Sequence, residues 1–133
     1  MNKTFLITGA SSGLGEKFTT LISDTAENII IVGRYRNKLI KLKKKIHKIN
    51  FKVNVIYFTE DLSTSLGVNK LIKKFAKQKK IKFVDVLVNS AANFTVNKIE
   101  NIPSNQLKKD FQLNVFSPFM LSKYFGLKMK KKK

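Results

Sequence analysis

The sequence contains no cysteine and a single histidine, His47. Without thiols there is no disulfide framework, no thiolate nucleophile and no cysteine metal site. His47 stands among lysines in a stretch of helical periodicity, where it reads as a solvated surface residue, and no metal site is legible. Long apolar runs are missing too. The longest purely aliphatic one is Ile29 to Val32, far too short to span a bilayer. The first residues pass into an apolar strand rather than a leader. The expectation is a soluble, cytoplasmic protein with no membrane partner.

Acidic residues are scarce, 8 against 27 lysines and arginines, for a formal net charge of +19. Clustered cations neutralise phosphates and release counterions, so a basic nucleic-acid-associated protein is one reading. The distribution argues against it. Only Arg34 and Arg36 are arginines, aromatic and basic residues do not interleave as a stacking platform would require, and the lysines fall on the outer faces of amphipathic helices. Abundant Lys, Asn, Ile and Phe is also what a biased coding composition produces. No specific nucleic-acid partner is expected.

What organises the chain is Thr8-Gly9-Ala10-Ser11-Ser12-Gly13-Leu14-Gly15. Phe5, Leu6 and Ile7 run into it as a short apolar strand, and Leu14, Phe18, Leu21 and Ile22 leave it at helical spacing, predicted to face one side. Glycines at 9, 13 and 15 let the backbone take turns closed to other residues and let a pyrophosphate approach the main chain. The helix start then offers free N–H groups and partial positive charge. The spacing is Gly-x-x-x-Gly-x-Gly, one residue wider in its first gap than the common dinucleotide fingerprint.

Thr-Gly-Ala-Ser-Ser-Gly-Leu-Gly near the start of a chain resembles the short-chain dehydrogenase/reductase family, whose members bind NAD or NADP on a Rossmann-type sheet. The resemblance implies an α/β fold of three layers, helices on both faces of a parallel sheet with strand order 3-2-1-4. It also implies cofactor contacts from Gly9, Ser11, Ser12, Gly13, Leu14 and Gly15. About 20 residues past the glycine motif, where an acid would hold the adenosine ribose of NAD, the strand Asn28 to Val32 ends at Gly33-Arg34-Tyr35-Arg36, and no acid occurs between 28 and 59. Arg34 offers instead a guanidinium suited to a 2′-phosphate, so NADP(H) is expected over NAD(H).

Leu39, Leu42, Ile46 and Ile49 form an apolar stripe with lysines around it, a crossover helix. Val53 to Phe58 reads as the third strand. In the family an Asp followed by a hydrophobic residue at this point lines the adenine pocket, and Asp61-Leu62 matches, with Ser63 expected to cap the next helix. Val68, Leu71, Ile72 and Phe75 supply that helix, and Phe83 to Val88 the fourth strand. It ends in Asn89-Ser90-Ala91-Ala92. The family pattern is Asn-Asn-Ala-Gly, steadying the sheet and passing beneath the cofactor ribose: Asn89 and Ala91 match, while Ser90 and Ala92 depart. A Cβ at 92 would crowd a left-handed turn.

Pro103-Ser104 opens a long helix expected to carry Leu107, Phe111, Val115, Phe119 and Ser122 along one face. Inside it, Asn114 matches the family's asparagine, whose main-chain carbonyl holds a water of the proton relay. Pro118, four residues on, lacks the N–H that would bond that carbonyl. The family's catalytic Ser and Tyr-x-x-x-Lys belong to later elements, and their segments are absent here. Tyr124 and Lys128 have the spacing but fall on the asparagine helix itself, which makes them a decoy. The chain is expected to be one truncated NAD(P)-binding Rossmann domain over 1–133, inactive alone and missing the later strands. Full-length relatives are expected to transfer hydride between nicotinamide and a small carbonyl or alcohol substrate, as homo-oligomers. A non-catalytic nucleotide- or partner-binding module is the alternative.

Overall fold

Short apolar runs set between helical stripes leave the chain little choice but to alternate strands with crossover helices. The computed structural model describes residues 3–132; Met1, Asn2 and Lys133, the last of the terminal lysines, lie outside the described residues. Strands β1 (Thr4–Thr8), β2 (Asn28–Gly33), β3 (Asn54–Thr59) and β4 (Val86–Asn89) form one sheet in the order β3-β2-β1-β4. Every pairing is parallel, with Leu6 beside both Ile30 and Leu87, and Ile30 beside Ile56. Both the strand order and the three-layer arrangement are those expected. Strand β4 starts later than Phe83 because Asp85 intervenes: its carboxylate accepts the Thr4 N–H at 2.8 Å while its own N–H donates to the Thr4 carbonyl at 2.9 Å.

Helices α1 (Gly13–Ile22) and α2 (Arg36–Ile49) cover one face of the sheet. There Phe5, Ile7, Ile29, Ile31 and Val55 meet Leu39, Leu42 and Ile46, with Ile49 beyond the edge and half exposed. Helix α1 departs from the expected face. Leu14 and Leu21 are 81% and 78% exposed, and the inward line is Gly15, Phe18, Thr19 and Ile22. The cause is proximity, since a Cβ at Gly15 would lie 2.3 Å from the Gly9 carbonyl oxygen. A helix that enters so close to the sheet can turn only a bare backbone inward at its first turn.

The other face is covered by α3 (Ser65–Lys77) and by the long segment of α4 (Ser104–Phe111), a π turn (Gln112–Phe116) and α5 (Ser117–Lys132). Helix α3 is capped by Thr64, whose Oγ1 accepts the Gly67 N–H at 3.0 Å. Ser63 is not the cap: its N–H and hydroxyl both donate to Asp61 Oδ1, at 2.9 and 2.7 Å. In the long segment the expected stripe points outward, with Leu107, Phe111, Val115 and Phe119 all at least half exposed. The inward line is Leu113, Ser117, Leu121 and Phe125. Two contacts select it: the Ser117 hydroxyl donates to the Leu62 carbonyl at 2.6 Å, and the Phe125 ring stands edge-on to Phe75 with centroids 5.0 Å apart. Periodicity offers two apolar stripes here, and only tertiary contact chooses between them. The π turn takes up the break at Pro118, with the Ser117 N–H donating five residues back to the Gln112 carbonyl.

Two helical glycines allow a controlled test of this packing. A Cβ at Gly67 would fall 1.8 Å from the Asp61 carbonyl oxygen, whereas one at Gly126 meets nothing within 4 Å. Gly67→Ala should therefore cost about 3 kcal/mol, at the upper end of ordinary overpacking, and Gly126→Ala should be neutral or stabilise by up to about 1 kcal/mol. Urea denaturation of both variants checks the contrast.

Candidate functional site

The strand order reverses between β1 and β4, so their crossovers leave in opposite directions and a crevice opens beyond the carboxyl ends of the strands. A cleft of about 360 Å³ occupies it. One wall is the β1–α1 turn, with Gly9, Ser11, Ser12, Gly13 and Leu14. The end of β2 adds Gly33, Arg34, Tyr35 and Lys38; the floor comes from Glu60 and Leu62 after β3, and from Ser90, Ala91 and Ala92 after β4.

The turn wall is backbone rather than side chain. Ser12 is the N-cap of α1, yet its hydroxyl makes no capping hydrogen bond. Gly13 has φ +54°, and a Cβ built on it meets no atom within 4 Å. The first-turn N–H groups, which have no helical acceptor, thus line open space fit for an anion. Gly15, buried behind this wall, supports it without lining the cleft.

Thr8 fixes the opposite side. Its buried hydroxyl accepts the N–H groups of Ser90 and Ala91, both at 3.1 Å, and donates to the Val88 carbonyl at 3.4 Å. Gly9 presses against the same segment, where a Cβ would come within 2.7 Å of the Ala91 backbone. No non-glycine residue among those described has a positive φ, so Ala92 causes no crowding.

Asn89 lies outside the cleft and donates from Nδ2 to Ser122 Oγ at 3.2 Å, tying β4 to α5. Asp61 lines a smaller adjoining cavity of about 220 Å³ together with Arg34 and Lys109. Burial pushes the Asp61 carboxyl up, but the two Ser63 hydrogen bonds and the charges of Arg34 and Lys109 outweigh it and hold the group below its ordinary value. Glu60, buried, forms an ion pair through Oε1 with Lys74 of α3 that lacks hydrogen-bond geometry.

The Asn114 side chain also stays out of the cleft. It clamps the loop after β4 at two points, Oδ1 accepting the Asn93 N–H at 2.9 Å and Nδ2 donating to the Asn93 carbonyl at 2.8 Å. Asp110 completes this anchor, accepting from Thr95 Oγ1 at 2.7 Å, Asn93 Nδ2 at 2.7 Å and Gln106 Nε2 at 2.8 Å. These donors hold its carboxyl below the usual range. Lys128 Nζ sits 5.1 Å from the ring centroid of Tyr124, and neither residue lines the cleft. Among the described residues no group of three acids or histidines could hold a metal, and no helix is long and apolar enough to cross a membrane. Sequence reading missed Thr8, Asn93 and Asp110 as anchors, and Tyr35 and Lys38 as cleft residues. The one available signal was position, next to the glycine motif or to Arg34.

The short chain dehydrogenase family model matches residues 3–133. The chain belongs to the short-chain dehydrogenase family. Among its relatives are two uncharacterized oxidoreductases of Bacillus subtilis (strain 168). YhxC is 33% identical over 125 residues, covering 91% of this chain and 42% of that protein; YmfI is 28% identical over 124 residues, covering 92% and 49%. The crystal structure of L-sorbose reductase from Gluconobacter frateurii, complexed with NADPH and L-sorbose, superposes with a TM-score of 0.87 at 22% identity, over 98% of this chain and 49% of that one. This short-chain dehydrogenase chain thus spans about half the length of the relatives it matches.

Thr8→Val should strand the Ala91 N–H, leave the Ser90 N–H with the Val88 carbonyl at 3.2 Å, and cost about 2 kcal/mol, while Thr8→Ser, which keeps the hydroxyl, should cost less. Amide exchange should quicken at 91, and less at 90, in the valine variant alone.

Proposed function

We infer that residues 1–133 form one nucleotide-binding unit of an NADP(H)-dependent oxidoreductase, and that the cleft holds the cofactor. The observation that carries this is the bare, uncapped start of α1 at Gly13, facing open space where a pyrophosphate would lie. The NADPH in the L-sorbose reductase structure is consistent with it. In this reading Gly9, Ser11, Ser12, Gly13 and Leu14 meet the pyrophosphate, with Gly15 giving the turn its room. Arg34 meets the 2′-phosphate, Asp61 and Leu62 the adenine, and Ala91 the ribose, over a strand end steadied by Asn89. When bound, the nicotinamide supplies or accepts a hydride against a small carbonyl or alcohol substrate. Asn114 serves through its main-chain carbonyl as a holder of the relay water, while its side chain keeps the Asn93 loop in place.

The pyrophosphate contacts are common to NAD and NADP, so discrimination rests on the 2′-phosphate. A hydrogen bond to a charged group is worth about 1.5 to 3 kcal/mol. Arg34 is exposed, and screening by water and salt puts its preference for NADP(H) at the lower end, about 10-fold. Arg34→Ala should weaken NADP(H) binding and leave NAD(H) nearly unchanged, whereas Gly13→Val should weaken both. Equal affinity of the unmutated chain for the two cofactors in a fluorescence titration would refute the assignment.

The 133-residue chain alone is expected to turn over no carbonyl. Of its three tyrosines, Tyr57 packs under α2, Tyr124 against Phe125, and Tyr35 stands at the Arg34 end of the cleft. None is placed to protonate an alkoxide. NADPH oxidation with a panel of aldehydes and ketones should stay at background, and turnover abolished by Tyr124→Phe would reverse this.

A further inference from the structure

We propose that Lys38 is a second cation for the 2′-phosphate of NADP(H), so that cofactor choice rests on an Arg34–Lys38 pair rather than on Arg34 alone. The inference rests on the reading of the cleft as an NADP(H) site. Lys38 stands on the first turn of α2, four residues beyond Arg34, and both line the same cleft. Between them the Tyr35 ring acts as a common seat: the Arg34 Cζ lies 5.5 Å and the Lys38 Nζ 5.3 Å from its centroid. Contact of each cation with the ring offsets part of their mutual repulsion and narrows the positions both side chains sample.

Neither cation is held in an ion pair. Among the described residues the ion pairs are Lys45 with Glu16 and Lys74 with Glu60, and neither involves Arg34 or Lys38. Asp61 feels Arg34 and Lys109. No acid occurs between residues 28 and 59, and the first turn of α2 has none. Two cations seated on one ring at a cleft mouth suit a compact dianion such as a phosphate monoester, which an adenosine without the 2′-phosphate cannot supply. The other lysines of α2 do not line the cleft, which makes Lys38 separable from the general positive charge of the helix.

The test uses two probes that differ only in that group, 2′,5′-ADP and 5′-AMP, titrated calorimetrically into the unmutated chain, Lys38→Gln, Lys38→Arg, Lys41→Gln and Arg34→Ala. Lys38→Gln should weaken 2′,5′-ADP by about threefold to tenfold and leave 5′-AMP within about twofold, as expected for one screened charge near a dianion. Lys38→Arg should restore the affinity, and Lys41→Gln should change neither probe. The proposal is overturned if Lys38→Gln and Lys41→Gln weaken 2′,5′-ADP equally, or if Lys38→Gln weakens both probes alike. If Arg34→Ala abolishes the preference while Lys38→Gln keeps it, Lys38 has no part in the choice and the NADP(H) reading stands. No preference in the unmutated chain removes that reading and this one together.

Discussion

The main chain at Gly9 touches the main chain at Ser90 and Ala91 with no room for a side chain between them. Everything at the crevice depends on that meeting. It brings the exits of β1 and β4 side by side, and the Thr8 hydroxyl holds them there by accepting the Ser90 and Ala91 N–H groups just beyond β4. On the other side of the same turn, the Gly9 carbonyl lies against Gly15 and sets how deeply α1 enters. A bulky residue at either point would lift the helix, and the backbone wall with it. The cleft is thus built by exclusion: small residues let three main-chain segments converge, and their remaining N–H groups face the gap.

Around this neutral core the charges are sorted. Arg34 and Lys38 stand at one mouth on the Tyr35 ring, Asp61 lies beyond them under the influence of Arg34 and Lys109, and Asp110 is consumed by three donors, two of which, Asn93 and Thr95, tie the loop after β4 to α4. The two carboxylates therefore do different work despite lining the same small cavity. Asp61 is held by its own turn and keeps an oxygen free of the Ser63 bonds, whereas both oxygens of Asp110 serve the anchor. The Asn114 side chain belongs with Asp110, since it mimics a backbone partner for Asn93.

The strands and the glycine turn were legible in the residues because each depends on local pattern: short apolar runs for buried parallel strands, glycine where the chain must turn; the order of the strands came only through the family resemblance that the glycine motif carries. Helix faces were less so. Leu14 and Leu21 look inward by spacing, but the small residues Gly15 and Thr19 win because the first turn must pass close to the sheet. In the long helical segment two apolar stripes compete, and the docking of Ser117 and Phe125 decides. The cap of α3 moved by one residue because Ser63 is engaged by Asp61. Cleft residues carried by motif or strand end could be found from sequence. Tyr35 and Lys38 could not, because a lysine in a lysine-rich helix carries no signal until its neighbours are known.

One consequence of the β2–α2 corner concerns the helix itself. Arg34, Arg36 and Lys38 crowd the start of α2, with no acid in the first turn and no side-chain cap. That end already carries the positive pole of the macrodipole, so the cations oppose the helix they introduce. Leu39, fully buried, begins the stripe that fastens this helix to the sheet one residue later. The corner therefore stands under electrostatic tension, pinned from beneath by packing and relieved from above by any polyanion.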